Sequence, residues 1–538
     1  MHLTMIPSAE RHPEMSGLKA ENTRLMVENK DLTLRIEHFS VRIEELSAQL
    51  QWFHKQLFGE TSERRLPDPP GEQLSLGQAL EPARGVEEAP QTIAEHQRKK
   101  RRSLSVDGDG QKLFFDESVP VEEIQIKNPE AAGLSEDEFE VIGQKTRRRL
   151  AQRPGAYVIL KYVRDVIRKK CDGKEEEAIF CPAAPESVFE KSHADVSFLA
   201  GLLIDKFQYH LPLHRQHQRL ESCGVHVSRG WLTQLVHRCG DLLEPIFAAQ
   251  LESIRRSRVR LMDETPIKAG RKEKGKMRDA YFWPVLGGDR EIAFLYFNSR
   301  EHRHVFEALG NPPGADSVIV SDGYGAYKEY ARSTGTANAQ CWVHSRREFI
   351  KAEVVEPGKV KEALDRMRPL WEIEKAIQEQ SLQGEAKRRC RQEHSRPVAE
   401  AFFAWVENTL KDTALLPSNR LTRALNYVQQ RREALSIFLT DPDVPLDTNE
   451  LERALRVIPM GRKNWMFCWT EVGAKYVGIF QSLIVTCKMH DINPTTYLVD
   501  VLQRVGNHPQ SKIDQLTPAR WGQFFADHPL RSDIDRQS

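Results

Sequence analysis

The sequence lacks the features of membrane-spanning and disulfide-rich secreted proteins. Its longest apolar runs, such as 197–204, are far shorter than the roughly 20 residues that cross a bilayer. Its first residues contain no apolar signal-peptide core. Its eight cysteines are scattered and form no C-x-x-C pair, which favours a reducing compartment over a disulfide scaffold. We therefore expect a cytoplasmic protein with no membrane partner.

The sequence also lacks a net charge of either sign. Its 78 Lys and Arg residues and 77 Asp and Glu residues leave a net charge of +1. Such a chain has no overall attraction for nucleic acid, so only local clusters of basic residues can indicate a nucleic-acid partner. With 538 residues, the chain is too long for one hydrophobic core and predicts several domains.

Residues 15–58 form the first patterned segment, a leucine-rich heptad array. One core position carries large apolar residues from Leu18 to Phe53, and the other core position includes Asn22 and Asn29. Heptads of this kind indicate a coiled coil, and asparagine at a core position favours a parallel dimer. We therefore predict a homodimer through this coiled coil. A single amphipathic helix packed on its own chain is the alternative interpretation.

The next two segments have different compositions. Residues 59–110 are rich in Pro, Gly, Glu and Gln and have no periodicity, which is typical of a linker. Residues 111–195 contain short alternating apolar runs and predict a small β-rich module. Cys171, Cys181 and His193 lie in this module, but structural zinc usually needs four closely paired ligands. We therefore do not expect a zinc site.

Residues 196–250 are predicted to be helical, with a helix-turn-helix-like pair near their centre. A first helix is expected to end before Gly224, and a second helix is expected to begin near Ser228. Arg229 and Trp231 lie at the start of the second helix. They could contact DNA there, but a helical hairpin inside a core would show the same pattern.

Three acidic residues follow elements that can bring them together. Asp263 follows a short apolar run of strand character, and Asp322 follows a second such run. Glu452 lies near the start of a helix, between Leu451 and Leu455, which are expected to face the core. A carboxylate at a strand end is a natural metal ligand because the sheet fixes its position. The pattern predicts a two-metal phosphoryl-transfer site on a ribonuclease-H-like sheet.

The predicted ribonuclease-H-like α/β domain is divided into two parts along the sequence. Its first part covers residues 251–349, and its last part, with the glutamate helix, covers residues 441–490. Residues 350–440 have long charged helical faces and few turn signals, which predicts an all-helical insertion. Residues 491–538 predict a helical C-terminal tail. With the coiled coil and the β-rich module, this pattern gives a multidomain α+β fold class.

Two glutamates compete for the role of the third acid. If Asp447 caps the helix, Glu450 occupies the third helical position and can reach back to the cap, as in a capping box. Glu452 is then the better candidate to meet the aspartates. Its alternative role is an ion pair with Arg456, four residues further along the helix.

Basic residues cluster around these acids in the sequence and predict contacts with a DNA backbone. A solvated hairpin tip is the alternative for the lysine-rich loop, and a core position is the alternative for the tryptophan. The predicted DNA-binding residues are Lys268, Arg271, Lys272, Lys274, Lys276, Arg346, Arg347, Arg462, Lys463 and Trp465.

Longer motifs in the same order resemble one protein family. The stretches DETP, SDGYGAY, CWVHSRREF and DTNELERALRVIPMGRKNWMF resemble the DDE transposases of the insertion-sequence family numbered sixty-six, whose transposase subunit is called TnpC. The resemblance implies a ribonuclease-H-like domain that cuts and joins transposon-end DNA. It also implies two Mg²⁺ or Mn²⁺ ions, with Asp263, Asp322 and Glu452 as catalytic and metal-binding residues.

The resemblance further implies partners and a location. It implies double-stranded DNA of transposon ends and target, small accessory transposition proteins, and association with the nucleoid when DNA is bound. The family usually carries a cysteine zinc-finger-like module, of which this sequence keeps only Cys171 of the second pair.

Two alternative functions stay open. The protein could be a catalytically inactive relative that binds DNA or dimerises, or a metal-independent glycosidase that uses paired carboxylates.

Overall fold

The computed structural model describes residues 25–26, 113–131, 139–153, 155–169, 179–273, 276–411 and 416–536. The chain divides into two units, Met1–Arg101 and Arg102–Ser538. In the first unit only Leu25 and Met26 are described, and both are helical. The rest of the predicted coiled coil and the predicted linker lie outside the described residues. The second unit is a mixed α/β structure. None of its described helices is both long and apolar enough to cross a bilayer.

A four-stranded sheet occupies the segment before residue 181. Its strand order is β2-β4-β3, with β5 paired to β4. Gly155 adopts a left-handed φ of 83°, which the tight connection between β3 and β4 requires. A separate two-residue strand, β1, pairs with β6 further along the chain. The strands are β1 (Phe114–Phe115), β2 (Val121–Ile126), β3 (Phe139–Arg153), β4 (Ala156–Lys169), β5 (Ile179–Phe180) and β6 (Val225–His226). A short 3₁₀ helix covers Pro129–Ala131.

Three helices follow this sheet, and two of them form the predicted helical pair. They are α1 (Val196–Phe207), α2 (Leu213–Ser222) and α3 (Arg229–Arg256). The turn between α2 and α3 contains Gly224 at a φ of 78°, and the Ser228 side chain accepts a hydrogen bond from the Trp231 amide at 3.1 Å. Trp231 is buried and stacks on Phe198 with ring centroids 5.8 Å apart. Trp231 is therefore a core residue and not a DNA contact.

The central sheet has six strands in the order β10-β9-β7-β11-β12, with β8 paired to β9. Strands β7, β11 and β12 are parallel to one another, while β9 is antiparallel to both β7 and β10. Every residue of β7 and β11 is buried, as expected for parallel strands covered on both faces. The strands are β7 (Val259–Met262), β8 (Thr265–Glu273), β9 (Lys276–Leu286), β10 (Ile292–Phe297), β11 (Val318–Ser321) and β12 (Ala337–Gln340).

Helices surround the central sheet and continue to the end of the described chain. Three of them alternate with or follow the last strands: α4 (Arg303–Leu309), α5 (Gly325–Thr334) and α6 (Trp342–Ala352). The segment predicted as an insertion contains α7 (Pro357–Glu379), α8 (Gly384–Cys390), a π-helical stretch (Arg391–Ser395), α9 (Arg396–Leu410), α10 (Arg420–Gln429) and α11 (Arg432–Thr440). The remaining helices are α12 (Asn449–Leu455), α13 (Val457–Trp465), α14 (Glu471–Met489), α15 (Pro494–Arg504), a 3₁₀ segment (Gln510–Leu516), α16 (Pro518–Phe524) and α17 (Asp533–Arg536).

A buried arginine ties the helices between residues 357 and 440 to the chain that leads into α12. The Arg391 side chain is fully buried and forms a two-pronged ion pair with Glu374, at 2.7 Å for each nitrogen. It also donates to the carbonyl oxygens of Phe438 at 2.8 Å and Val444 at 2.9 Å. A buried charge is tolerated only when it is paired and fully hydrogen-bonded in this way. This pairing fixes the path of the chain towards Glu452.

Helix α14 packs directly on the edge strand of the central sheet. A Cβ atom placed at Gly478 would come within 2.3 Å of the Phe294 carbonyl oxygen. The Ser482 hydroxyl, one turn further along the helix, accepts a hydrogen bond from the Phe294 amide at 2.8 Å. A glycine is therefore required where this helix touches the backbone of β10.

This close approach predicts the effect of adding one methyl group. We expect Gly478→Ala to lower the free energy of unfolding by about 1–3 kcal/mol, because the added methyl group overpacks a backbone contact. Gly358→Ala is the matched control, since Gly358 is also helical and nothing lies within 4 Å of its added Cβ. Urea denaturation followed by circular dichroism measures both changes. Equal stability of the two variants would contradict the described packing.

Candidate active site

The two predicted aspartates follow adjacent strands of the central sheet. Asp263 comes directly after β7, and Asp322 comes directly after β11. The two strands pair in parallel, with Val259 opposite Val318 and Leu261 opposite Val320. Neighbouring strands lie about 4.8 Å apart, so the two aspartates leave the sheet at the same edge. Sequence alone could not show that these two strands are neighbours.

The Asp263 carboxyl group lies among other acidic groups. Burial is the main cause that raises the pKa of Asp263 to about 7, and the negative charge of Glu264 is the next cause. The charges of Asp322 and Glu452 raise this pKa further. Because water and salt weaken the interaction between separated charges, the effect of Asp322 and Glu452 on this pKa indicates that both acids lie in the neighbourhood of Asp263. The structure thus brings together residues that are far apart in sequence.

The loop after β11 holds Asp322 by local hydrogen bonds. Its side-chain Oδ1 accepts from the Tyr324 amide at 2.8 Å, which is the geometry of an Asx turn. Its backbone carbonyl oxygen accepts from the Tyr427 hydroxyl at 2.7 Å. Gly323, between Asp322 and Tyr324, adopts a left-handed φ of 90°. The turn therefore needs glycine at this position, as the SDGYGAY motif provides.

The helix that carries the third acid begins differently from the prediction. Helix α12 begins at Asn449, so Thr448 and not Asp447 occupies the N-cap position. The Asp447 carboxylate accepts from the Asn449 amide at 3.0 Å and from the Trp371 indole nitrogen at 2.9 Å. Glu450 forms an ion pair with Arg290 at 3.0 Å and does not reach back to the cap. The predicted capping box was therefore wrong, because Thr448 is the N-cap residue and Glu450 pairs with Arg290.

Glu452 faces helix α6. Its Oε2 atom forms a close ion pair with Arg347, so the alternative pairing with Arg456 is not the one observed. Its Oε1 atom lies 3.8 Å from His344 Nε2, and among the described residues this buried oxygen has no hydrogen-bond partner. The Glu452 side chain is 17% exposed. Its charge acts on the pKa of Asp263, and its proximity to His344 was not predicted from the sequence.

Three hydrogen bonds hold the start of α12 against the start of α6. The buried Cys341 sulfur accepts from both the amide and the hydroxyl of Thr448, each at 3.3 Å. The Trp342 amide donates to the Leu446 carbonyl oxygen at 3.2 Å. Cys341 thus has a structural role. These bonds explain why Glu452 meets α6.

A second glutamate at the site was not singled out from the sequence. The Glu264 side chain is only 4% exposed and forms a close ion pair with Arg300. The Tyr327 hydroxyl donates to its Oε2 atom at 2.5 Å, and the Arg300 guanidinium stacks over the Tyr324 ring at 4.0 Å. Burial raises the pKa of Glu264. The signal in the sequence was the pair of adjacent acids in DETP, Asp263 and Glu264. Only one of them can be the first of the three predicted acids.

The carboxylates at this edge have the chemistry of a site for hard divalent cations. Mg²⁺ and Mn²⁺ prefer oxygen ligands, and the unpartnered Oε1 of Glu452 is a buried acceptor of this kind. However, across the described ranges no group of three or more His, Cys, Asp or Glu side chains is arranged so that it could hold a metal ion. The present geometry has Glu452 bound to Arg347 and Glu264 bound to Arg300. The residue types therefore fit a site for divalent cations. In the described structure, however, the Glu452 and Glu264 side chains are positioned for ion pairs with arginine.

The predicted DNA-binding residues that the structure describes lie on four elements, β8, β9, α6 and α13. Strands β8 and β9 carry Lys268, Arg271, Lys272 and Lys276, all exposed, while Lys274 lies outside the described residues. Lys268 pairs with Asp279. Helix α6 carries the exposed Arg346 and Arg347, and helix α13 carries Arg462, Lys463 and the half-buried Trp465. Arg462 donates to the Pro266 carbonyl oxygen at 2.7 Å. Their contact with DNA stays a prediction.

The predicted absence of zinc also stays a prediction. Cys171 lies outside the described residues. Cys181 lies 3.6 Å from the Pro182 carbonyl oxygen, and His193 Nδ1 lies 3.2 Å from the Arg148 carbonyl oxygen.

The raised pKa of Asp263 predicts a pH dependence of stability. The ordinary pKa of an aspartate is about 3.9, whereas Asp263 titrates at about 7 in the folded protein. The folded state therefore binds this proton more tightly. The resulting stabilisation is fully present below about pH 4 and is lost as the pH rises through about 7.

We therefore expect Asp263→Asn to remove part of this pH dependence. In EDTA, the variant should gain roughly 2–4 kcal/mol relative to the wild type between about pH 4 and pH 8. Urea denaturation at a series of pH values measures the difference. Asp316→Asn, at an exposed position, is the control and should follow the wild type. The same pH slope in the wild type and Asp263→Asn would show that burial does not raise this pKa.

Comparison with known proteins identifies the family. The model described as "Transposase IS66 family" matches residues 191–476, and the model described as "IS66 C-terminal element" matches residues 482–519. The first match includes all three predicted acids.

Three curated relatives come from Sinorhizobium fredii and are each described as an uncharacterized protein. The relative y4hP is 28% identical over 408 residues, covering 71% of this chain and 71% of its own length. The relative y4jD is 28% identical over 399 residues, covering 71% of this chain and 76% of its own length. The relative y4qI is 28% identical over 370 residues, covering 65% and 67%. The family-model matches cover more than half of the sequence, and the chain therefore belongs to the IS66 family of transposases.

Proposed function

We propose that the protein cuts and joins insertion-sequence end DNA by metal-dependent phosphoryl transfer at Asp263, Asp322 and Glu452. The observation that carries this proposal is the shared environment of the three acids. Asp263 and Asp322 follow adjacent parallel strands, and the charges of both Asp322 and Glu452 raise the pKa of Asp263. Membership in a transposase family gives the class of reaction, and the acids give its site.

The sheet supports a ribonuclease-H-like assignment for this domain. Three parallel strands, β7, β11 and β12, lie at one side of the sheet, and the antiparallel strands β9 and β10 lie at the other. The first aspartate follows the central strand, the second follows its parallel neighbour, and the glutamate lies on a later helix. This order of strands and helix supports the proposed two-metal site. The helices between residues 357 and 440 separate the second aspartate from the glutamate in sequence.

The three carboxylates are the residues that would hold two divalent ions. When bound, such ions activate the attacking water or 3′-hydroxyl and stabilise the leaving oxygen. The attack on phosphorus is in line and needs no covalent enzyme intermediate. The chain itself supplies position: β7 and β11 fix the aspartates, and the bonds of Cys341 to Thr448 fix the start of the glutamate helix.

Arg347 has a second role in this proposal. Its guanidinium, 46% exposed, pairs with Glu452, and guanidinium groups bind phosphate as well as carboxylate. A DNA phosphate that binds Arg347 would compete with Glu452 and leave its carboxylate available as a metal ligand. Arrival of DNA and completion of the metal site would then be coupled.

The partners follow from the same proposal. Double-stranded DNA of transposon ends and target is the substrate, and the exposed basic residues on β8, β9, α6 and α13 are its proposed contacts. The proposed homodimer forms through residues 15–58. Small accessory transposition proteins are further proposed partners.

The direct test replaces one acid at a time by its near-isosteric amide. We expect Asp263→Asn and Glu452→Gln each to reduce Mg²⁺-dependent nicking of transposon-end DNA at least about 100-fold, because each removes a charged ligand. Glu450→Gln is the matched control, since Glu450 lies on the same helix but pairs with Arg290. It should cut at the wild-type rate.

The same assay separates the alternatives. Wild-type cleavage by Asp263→Asn or Glu452→Gln would reject the assignment of the acids. DNA binding without cleavage by the wild type, in either Mg²⁺ or Mn²⁺, would favour the catalytically inactive relative.

A further inference from the structure

The loop between α13 and α14 has an unusual backbone. Met466 has a φ of 62° and a ψ of −50°, and the Phe467 amide donates to the Trp465 carbonyl oxygen at 2.7 Å. These values define a γ-turn of the rare, strained kind. Strain of this sort persists only when the surrounding structure maintains it, and it is concentrated at functional positions. The loop therefore requires an explanation beyond chain reversal.

Strand β8 holds the loop in place. The Cys468 amide donates to the Lys268 carbonyl oxygen at 2.9 Å, and the Gly270 amide donates to the Cys468 carbonyl oxygen at 3.1 Å. The Cys468 side chain is buried. Because consecutive side chains of an extended segment point to opposite sides, burying Cys468 directs Trp469 outwards. The loop is a rigid support for that ring.

Trp469 is the more exposed of the two tryptophans in this region. Its side chain is 64% exposed, and that of Met466 is 68% exposed, whereas Trp465 is half-buried against the core. The Phe467 ring lies beside Trp469 with centroids 5.8 Å apart and an interplanar angle of 39°. A large aromatic ring held outwards by a strained, anchored loop is an exception to the usual burial of tryptophan.

Exposed basic residues lie on the elements that adjoin this aromatic loop. Arg271, Lys272 and Lys276 on β8 and β9, and Lys463 on α13, are exposed. Within the part of the chain that the structure describes, no ion pair involves these four residues, whereas Lys268 pairs with Asp279 and Arg278 pairs with Glu471. Unpaired cations next to an exposed aromatic ring are complementary to a nucleic-acid strand, with phosphates on the cations and a base on the ring.

The loop is also close to the acids along the chain. Cys468 lies opposite Ala269, and Ala269 is six residues after Asp263. Six residues reach at most roughly 20 Å between their Cα atoms. A strand whose phosphate lies at the acids can therefore extend to this loop within a few nucleotides.

We propose that Trp469 is a stacking platform for an unpaired base of single-stranded DNA at the cut end. The inference rests on the proposed function, because strand cleavage is what exposes unpaired bases near the acids. Phe467 supports the ring from the side, and Arg271, Lys272, Lys276 and Lys463 bind the flanking phosphates. The proposed site has no base specificity, because every base has an aromatic face that can stack.

Fluorescence anisotropy of labelled oligonucleotides tests the platform. The full-length chain and its Trp469→Ala and Trp469→Phe variants are titrated into labelled oligothymidylate and into a labelled duplex, each at several salt concentrations. We expect Trp469→Ala to weaken oligothymidylate binding roughly five- to 100-fold, the range for one lost base–aromatic stack. Trp469→Phe should stay within about threefold of the wild type, because a ring remains.

Two controls separate stacking from charge and from loss of fold. Phe524→Ala removes an aromatic ring that is 51% exposed on another helix and should leave both affinities unchanged. Lys272→Ala should reduce the slope of affinity against salt concentration, whereas Trp469→Ala should leave this slope unchanged. Unchanged thermal unfolding of each variant shows that it is folded.

Three results would overturn the platform. The first is equal affinity of Trp469→Ala and the wild type for oligothymidylate. The second is an equal loss for oligothymidylate and duplex, which would indicate a general DNA contact and not stacking. The third is a change of oligomeric state in Trp469→Ala, measured by light scattering, while DNA binding is unchanged. That result would assign the ring to a protein interface. If the wild type binds neither DNA, the proposed function itself fails.

Discussion

The parallel pairing of β7 with β11 is the constraint on which the rest of the site depends. It brings two aspartates to one edge of the sheet, where burial and mutual repulsion raise the pKa of Asp263. Such a concentration of carboxyl groups is costly without positive charge. In the described structure, Arg347 and Arg300 supply that charge by pairing with Glu452 and Glu264. A site balanced by arginine is also suited to exchange these partners for divalent cations and phosphate.

The glutamate reaches this edge through a chain of specific contacts. The buried Arg391 fixes the segment after α11 through the Phe438 and Val444 carbonyl oxygens. The sulfur of Cys341 then holds the start of α12. The helices between residues 357 and 440 therefore do more than interrupt the domain in sequence. These helices determine where Glu452 lies, so a substitution far from the three acids can alter the geometry of the acids.

The sequence was most informative where periodicity and chemistry agreed. The apolar runs before Asp263 and Asp322 predicted strands, and the neighbours of Glu452 predicted the face on which it lies. The predicted capping box was wrong because Glu450 pairs with the distant Arg290 and not with the cap, although the Asp447 carboxylate still accepts from the Asn449 amide at the helix start. The burial of Trp231 against Phe198 was likewise invisible, since a helical pair in a core has the same local pattern as one on DNA. Strand order, long-range ion pairs and side-chain competition are tertiary properties, and local sequence does not encode them.

The proposed function requires that Asp263, Asp322 and Glu452 form one cation-binding pocket. The most direct measurement is a crystal structure of the full-length chain with transposon-end DNA and Mn²⁺, examined for anomalous density. We expect Mn²⁺ between the three carboxylates, with Glu452 released from Arg347 and Arg347 bound to a phosphate. Density elsewhere, or a Glu452 carboxyl group that stays on Arg347 and more than about 10 Å from both aspartates, would contradict it, because metal–oxygen bonds are only about 2 Å long.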